Sequence, residues 1–294
     1  MAIPLFLKQK STGVVYLNEL KRFVKPYFMV PQNVGNQLGQ VAVGALGTGN
    51  MILAPDQNGP FEGFYFTSEH GGNMLVRIND GGARRDLMNR DVHIDTIMTP
   101  VPGGQRPFML PEGLWIQQRR SLLFTFTDLS GAAQTVRPVL HGRKFFLKQA
   151  TPGLASKFIA RRDMINQVTT PFFYTTDNDV NLPLATTANQ QETITVNDEG
   201  HFLATKITCV SQGPFDFIIK DGRTGQSLSG AVRVSNTGCT GISRFPYVFP
   251  EPWLIERNSQ IIIEFTNRFA LGSNNIWMTW TGRRIYDEQY QEIL

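Results

Sequence analysis

The sequence predicts an all-β protein: two tandem eight-stranded jelly-roll or β-sandwich domains, related by internal duplication, with one short helix preceding each. Three observations predict it. The chain echoes itself at a nearly constant offset. Its apolar residues fall in short runs separated by turn signals. Its composition favours pleated, half-buried surfaces, with 21 phenylalanines, 27 glycines and only 18% charged residues among 294.

The echo is strongest between PFMLPEGLWIQQRRSLLFTFTD (107–128) and PYVFPEPWLIERNSQIIIEFTN (246–267), which align without a gap. The identities are Pro107 with Pro246, Pro111 with Pro250, Glu112 with Glu251, Ile116 with Ile255, Phe126 with Phe265 and Thr127 with Thr266. At most other positions the apolar or polar character is kept. Downstream, Gly142-Arg143 answers Gly282-Arg283; upstream, Asp80-Gly81 answers Asp221-Gly222, and NGPF (58–61) answers EGHF (199–202). The offset stays between 139 and 141 residues. A spacing this steady is the signature of a copied unit.

In chain order, the first helix-like stretch is YLNELKRFVK (16–25), followed by KPYFMVPQNVGN, a run of small residues and the strand-like MILAP. The second is LASKFIARRDMINQ (154–167), followed by TPFFYTTDNDVN and a strand-like TITVN. The second copy then supplies QETITV, FLATKITCV, FDFIIKD, AVRV, FPYVF, WLIE, QIIIEF and NIWMTWTGRRI as strands, separated by NDEG, SQGP, DGRTG, NTGCTG and ERNS. QIIIEF is nearly continuously apolar, as in a strand packed on both sides, whereas WMTWTG alternates like a strand with one buried face. Asp80-Gly81 and Asp221-Gly222 read as hairpin turns in which glycine supplies a positive φ. Prolines 246, 250 and 252 suit strand edges or entries. Eight strands in this length fit a jelly roll; an immunoglobulin-like sandwich is the alternative, without its Cys…Trp…Cys pattern. The expected division is an arm and short helix over 1–25, a first domain over 26–147, a helical linker over 148–170, a second domain over 171–288 and a tail over 289–294.

The function classes narrow by elimination. A net charge of +4, with arginines scattered as the doublets 84–85, 119–120, 161–162 and 283–284, reads as solvated turns and inter-subunit salt bridges more readily than as a phosphate-binding surface. No apolar run approaches a membrane span, and MAIPLFLKQK lacks a signal-peptide core, so synthesis in a cytoplasm is expected. Cys209 and Cys239 lack metal-ligand spacing and read as buried thiols. His70, His93, His141 and His201 are dispersed, and there is no GxSxG, HExxH, P-loop or CxxC motif. Asp177 and Asp179 in TTDNDVN read as a turn, not a calcium loop. GGARRDLMNRD (81–91) reads as a long polar loop, and Trp115, Trp253, Trp277 and Trp280 as core packing. The expectation is a protein that is not an enzyme, with no catalytic or metal-binding residues, no cofactor and no small-molecule substrate.

A proline-flanked strand, a polar turn, an apolar strand ending in Thr-Asn or Thr-Asp, then a last strand closing on TGRRIY or HGRKFF resembles the C-terminal half of sandwich domains in bacteriophage virion structural proteins. Two such units in tandem resemble the double jelly-roll major capsid proteins of membrane-containing phages. The resemblance implies a capsid building block, located in the virion and assembling through its sheet flanks, three copies making a pseudo-hexagonal tile. It implies copies of itself and other virion proteins as partners, with membrane or nucleic acid nearby in the particle. Lys8, Lys10, Lys21, Arg22 and Lys25 are the candidate interior-facing contacts to lipid or genome. Adaptor, ring and collar proteins of tailed phages carry similar sandwiches and stay open as alternatives, as does a carbohydrate- or receptor-binding module.

Overall fold

The computed structural model describes residues 23–33, 35, 39–56, 58–82, 85–99, 109–111, 113–149, 152–177, 180–183, 189–243 and 245–286. The protein is all-β, with four largely antiparallel sheets forming two sandwiches.

The first unit runs β1 (Val24–Met29), β2 (Gln32–Asn33), β3 (Val41–Val43), β4 (Thr48–Leu53), β5 (Phe61–Glu69), β6 (Met74–Asp80), β7 (Arg85–Asp86), β8 (Val92–His93), the one-turn helix α1 (Ile94–Ile97), β9 (Met98–Thr99), β10 (Leu114–Ile116), β11 (Leu122–Asp128) and β12 (Gln134–Phe145). Helix α2 (Pro152–Val168) leads into the second unit. That unit comprises β13 (Thr169–Thr175), β14 (Asn181–Leu182), β15 (Asn189–Thr195), β16 (His201–Ser211), β17 (Phe215–Asp221), β18 (Val234–Ser235), the one-turn helix α3 (Asn236–Cys239), β19 (Tyr247–Ile255), β20 (Gln260–Asn267) and β21 (Asn274–Ile285).

One sheet of the first unit has the order β1-β12-β5-β10; the other contains β4-β11-β6 with β8 on β6. The second unit repeats this as β13-β21-β16-β19 and β15-β20-β17-β18. Counting the eight main strands of either unit along the chain, the sheets read 1-8-3-6 and 2-7-4-5. This is jelly-roll order, in which first and last strands lie side by side. Alternation builds the cores: β4 and β11 place Met51, Leu53, Phe124 and Phe126 inward, and β20 does the same with Ile261, Ile263 and Phe265. Phe126 and Phe265, kept in both copies, are both fully buried, and removing either side chain would cost about 3–5 kcal/mol.

The kept glycines have a common physical cause. In the first unit, register along β5 slips at Phe64, so that Gly142 faces Gly63 and His141 faces Tyr65. In the second, β16 slips at Thr205, so that Gly282 faces Ala204 and Thr281 faces Lys206. At both bulges the strands touch backbone to backbone. A Cβ on Gly142 would stand 2.0 Å from the Glu62 carbonyl oxygen, and one on Gly282 2.1 Å from that of Leu203. Beside each bulge the last strand carries a buried cation under an aromatic ring of the first strand. Lys144 lies beneath Tyr27 and pairs with Asp56; Arg284 lies 3.5 Å from the Phe172 ring centre and pairs with Glu199.

Several expectations need correction. Val24 and Lys25 belong to β1, not to a helix, because they pair with Phe145 and Lys144; the rest of 16–25, apart from helical Phe23, lies outside the described residues. FPYVF and WLIE are one strand, β19, whose pairing with β16 lapses between Val248 and Trp253, where Pro250 and Pro252 sit. AVRV shrinks to the two-residue β18, and the missed strand is β13. Gly81 and Gly222 do not take a positive φ; each amide instead donates to a neighbouring strand, to Ser121 O at 3.0 Å and Gln260 O at 2.8 Å. The two packing readings also reverse. QIIIEF buries one face, while Trp277, Thr279 and Thr281 on the outer side of WMTWTG are as buried as the core. Nor are the arginine doublets all solvated: Arg162 pairs with buried Glu62, and Arg284 is itself buried.

The bulge makes a sharp prediction. Gly142→Ala and Gly282→Ala should each lower unfolding free energy by about 2–4 kcal/mol in urea titrations, because backbone must move to admit the methyl group. Gly44→Ala, whose new methyl group would meet nothing within 4 Å, should stay within about 0.5 kcal/mol. Equal effects at all three positions would contradict the close approach.

Candidate functional site

The outer face of β13-β21-β16 explains why WMTWTG is buried twice over. Its inner face packs into the second core through Phe172, Tyr174, Ile207, Met278 and Trp280. Opposite residues of an antiparallel pair point the same way, so Phe173, Thr175, Thr208, Thr279 and Trp277 share the outer face. The first unit covers that face with the segment running from β7 through α1.

Four kinds of contact hold the two units together there. At the free edge of β13, the Phe173 amide donates to Leu87 O at 2.9 Å and the Asn89 amide donates to Phe173 O at 3.1 Å. Asn89 completes the seam, accepting the Thr175 amide at 2.9 Å and donating to Thr175 O at 3.2 Å. An edge strand that would present bare N–H and C=O groups is thereby closed. Phe173, 1% exposed, joins the hydrophobic core of the first unit. Over the middle of the sheet lies a buried threonine cluster. Thr208 Oγ1 donates to Thr96 O at 2.8 Å, and Thr279 Oγ1 donates to Thr96 Oγ1 at 2.9 Å. Around the rim, Arg90 pairs with Asp177, Ser243 Oγ donates to Met98 O at 3.0 Å, and the Lys206 ammonium donates to Met109 O. Burial pushes the Lys206 pKa down to about 8.

Helix α2 braces the same junction. Pro152 suits its first turn, and it ends where β-branched Thr169 and Thr170 precede Pro171. Asp163 Oδ1 accepts both Trp115 Nε1–H at 2.7 Å and the Gln117 side-chain Nε2–H at 2.6 Å. Phe158 and Ile159 pack on Phe23, Trp115 and Phe145.

His93 is a buried titratable group of the junction. Its Nδ1 accepts the Asp95 amide at 3.3 Å, capping α1, and its Nε2 faces Asn73 Oδ1. Its ring lies 4.8 Å from that of Trp277 across the seam. Asp95, which also meets His70 Nε2 at 3.2 Å, stands 4.0 Å away. Burial outweighs the Asp95 charge and pushes the His93 pKa down to about 4.

Of the contact residues expected from the sequence, Lys25 lies exposed on β1, opposite Lys144; Lys8, Lys10, Lys21 and Arg22 lie outside the described residues. Asp177 belongs to the seam through Arg90, and Asp179 lies outside the described residues. Cys209 is buried and Cys239 half-buried. Among the described residues no cluster of three or more His, Cys, Asp or Glu side chains is placed to hold a metal ion. The reading of 81–91 as a polar loop missed the seam. Its signal was the apolar pair Leu87-Met88 inside an otherwise charged stretch, both fully buried.

No protein-family pattern and no curated protein matches the sequence. Some solved structures are similar in architecture. A peptide-N(4)-(N-acetyl-β-D-glucosaminyl) asparagine amidase is 8% identical over 88% of this chain and 96% of its own, with a TM-score of 0.35. A chain of Sulfolobus turreted icosahedral virus is 8% identical, over 87% of this chain and 61% of its own, with a TM-score of 0.24. A chain from a structure described as the triple jelly-roll fold and turret assembly in an archaeal virus is 10% identical, over 90% of this chain and 60% of its own, with a TM-score of 0.25. The chain thus spans about three fifths of each viral chain. These are loose likenesses of architecture, and nothing about function follows from them.

The seam should be acid-sensitive. The unfolded chain, with an ordinary histidine pKa near 6.5, binds a proton more readily than folded His93 does at about 4. The stability contributed by neutral His93 is therefore complete above about pH 6.5 and lost as pH falls toward 4, by up to about 3 kcal/mol. Urea midpoints followed by tryptophan fluorescence should fall across that window in the wild type and much less in His93→Gln. Parallel pH profiles for the two proteins would contradict the assignment.

Proposed function

We propose that the chain is a non-enzymatic virion structural protein of a bacteriophage, a capsid building block that assembles with copies of itself through its sheet flanks. One observation carries the reading: the chain already uses a sheet flank as its principal joint. The outer face of β13-β21-β16 is covered by the first unit, whereas the matching face of β1-β12-β5 leaves Phe28 67% exposed. Flat, partly apolar flanks suit extended protein–protein packing better than they suit a reaction cleft. The residues kept in both copies point the same way. Gly142 and Gly282, Phe126 and Phe265, and Asp80 and Asp221 shape bulges, cores and turns.

In this reading the protein is made in the host cytoplasm and resides in the virion. It needs no cofactor or small-molecule substrate, and its partners are other copies, in trimers of six sandwiches, and further virion proteins. Lys25 and the other N-terminal basic residues face lipid or genome. A second reading, a carbohydrate- or receptor-binding module, draws on the same exposed Phe28 ring, edge-on to His141, which stacks on Tyr65 at 4.4 Å.

Mass spectrometry of density-purified particles produced from the genome encoding this chain tests the proposal. The chain should rank among the most abundant virion proteins. Presence in a handful of copies would move the assignment to an adaptor, ring or collar component. Absence from particles, with specific retention on a glycan array, would overturn it in favour of the binding module.

A further inference from the structure

We infer that the seam between the two units is repeated between chains: the 227–242 segment of one copy's second unit docks on the open face of β1-β12-β5 in the first unit of the next. This deepens the reading of the chain as a self-assembling building block and rests on it. The occupant is a second copy of the same chain.

The two units correspond residue by residue on both sides of such a contact. On the receiving side, strand register matches Phe28 to Phe173, since Phe28 faces His141 in β12 and Phe173 faces the corresponding Thr281 in β21. Thr67, opposite Val139, likewise matches Thr208, opposite Thr279. In the second unit this face is sealed; in the first, Thr67 is buried, but Phe28 in β1 and Val30 just beyond it stand exposed. A phenylalanine is thus kept at the point where the partner segment inserts, but among the described residues no segment pairs with that edge of β1.

On the donating side, the Leu87 amide donates to Ile78 O at 3.0 Å, and the Leu228 amide donates to Ile219 O at 3.0 Å. β8 and α1 are matched by β18 and α3, on equivalent positions of β6 and β17. Leu87 is buried in the seam region, whereas Leu228 is 50% exposed, and Val232 and Ile242 of the same segment are exposed as well. α3 reads Asn-Thr-Gly-Cys where α1 reads Ile-Asp-Thr-Ile, so the exposed apolar side chains of this segment lie outside its helix.

Among the described residues each chain therefore offers one exposed receiver and one exposed donor, on different units. A contact between them is head-to-tail, and a head-to-tail contact closes into a ring or grows without limit. A seam shared within and between chains makes neighbouring sandwiches near-equivalent around the ring, three chains giving six.

The seam places Met88 beside Phe173 as bridge partners, so the intermolecular counterpart brings Ser229 of one copy beside Phe28 of the next, within disulfide range. The test co-expresses full-length Phe28→Cys and Ser229→Cys chains, both carrying Cys239→Ser, and oxidises them mildly. A disulfide-linked pair should form between the two variants, mapped by peptide mass spectrometry, and neither variant alone should give it. Phe28→Asp, an exposed site, should keep the wild-type melting temperature while its light-scattering mass in solution falls to that of one chain. No mixed disulfide, with Phe28→Asp retaining the wild-type mass, would overturn the inference. If the chain is nonetheless abundant in particles, the virion reading stands and only this surface is wrong. Cross-linking in a chain absent from particles would sink that reading and keep the surface.

Discussion

The outer face of the second sandwich cannot be left in water. Phe173 points away from its own core, the edge of β13 would present unpaired backbone groups, and Thr96, Thr175, Thr208 and Thr279 form hydrogen bonds suited to a dry seam. Covering it from the first unit satisfies all three demands with one short segment. A buried polar group left without a partner costs about 1–3 kcal/mol, so removing the segment would cost far more than its few contacts suggest. The two sandwiches are thereby made into one object, and α2 has little choice of path between them.

What was copied and what diverged can be separated by physics. The bulges, the glycines at their close approaches, the buried cation beneath a first-strand aromatic and the turns after β6 and β17 are the same in both units. These are conditions for a jelly roll to close. The outer faces diverged: Tyr65 and His141 stand where the second unit has Lys206 and Thr281. A face that meets a different neighbour, or meets it in a different setting, is free to change side chains while its strands stay in register.

Much of the frame was legible in the sequence because a repeated glycine or phenylalanine at constant spacing reports a backbone or core constraint met twice. The reasons were harder to read. At Gly81 and Gly222 the cause is a neighbouring strand and not a φ angle, a distinction only the fold can make. Periodicity reports how many apolar faces a strand has, but threonines at 279 and 281 look polar whether they meet water or another unit. QIIIEF misled in the other direction, since Ile262 is only half-buried beside Glu264 on the outer side of its strand. The seam itself was hidden because much of it runs through backbone groups of 87–89 and the side chain of Asn89, within a stretch whose charges read as solvated.

A sheet flank, used once inside the chain, is in this account the means by which copies build a larger structure. Electron microscopy of assemblies of the purified full chain tests it most directly. Closed rings of six similar lobes contributed by three chains are expected, each lobe turned by the same rotation relative to its neighbour. Isolated two-lobed particles at every concentration, or twelve-fold rings in which the β1-β12-β5 face points into solvent, would contradict it.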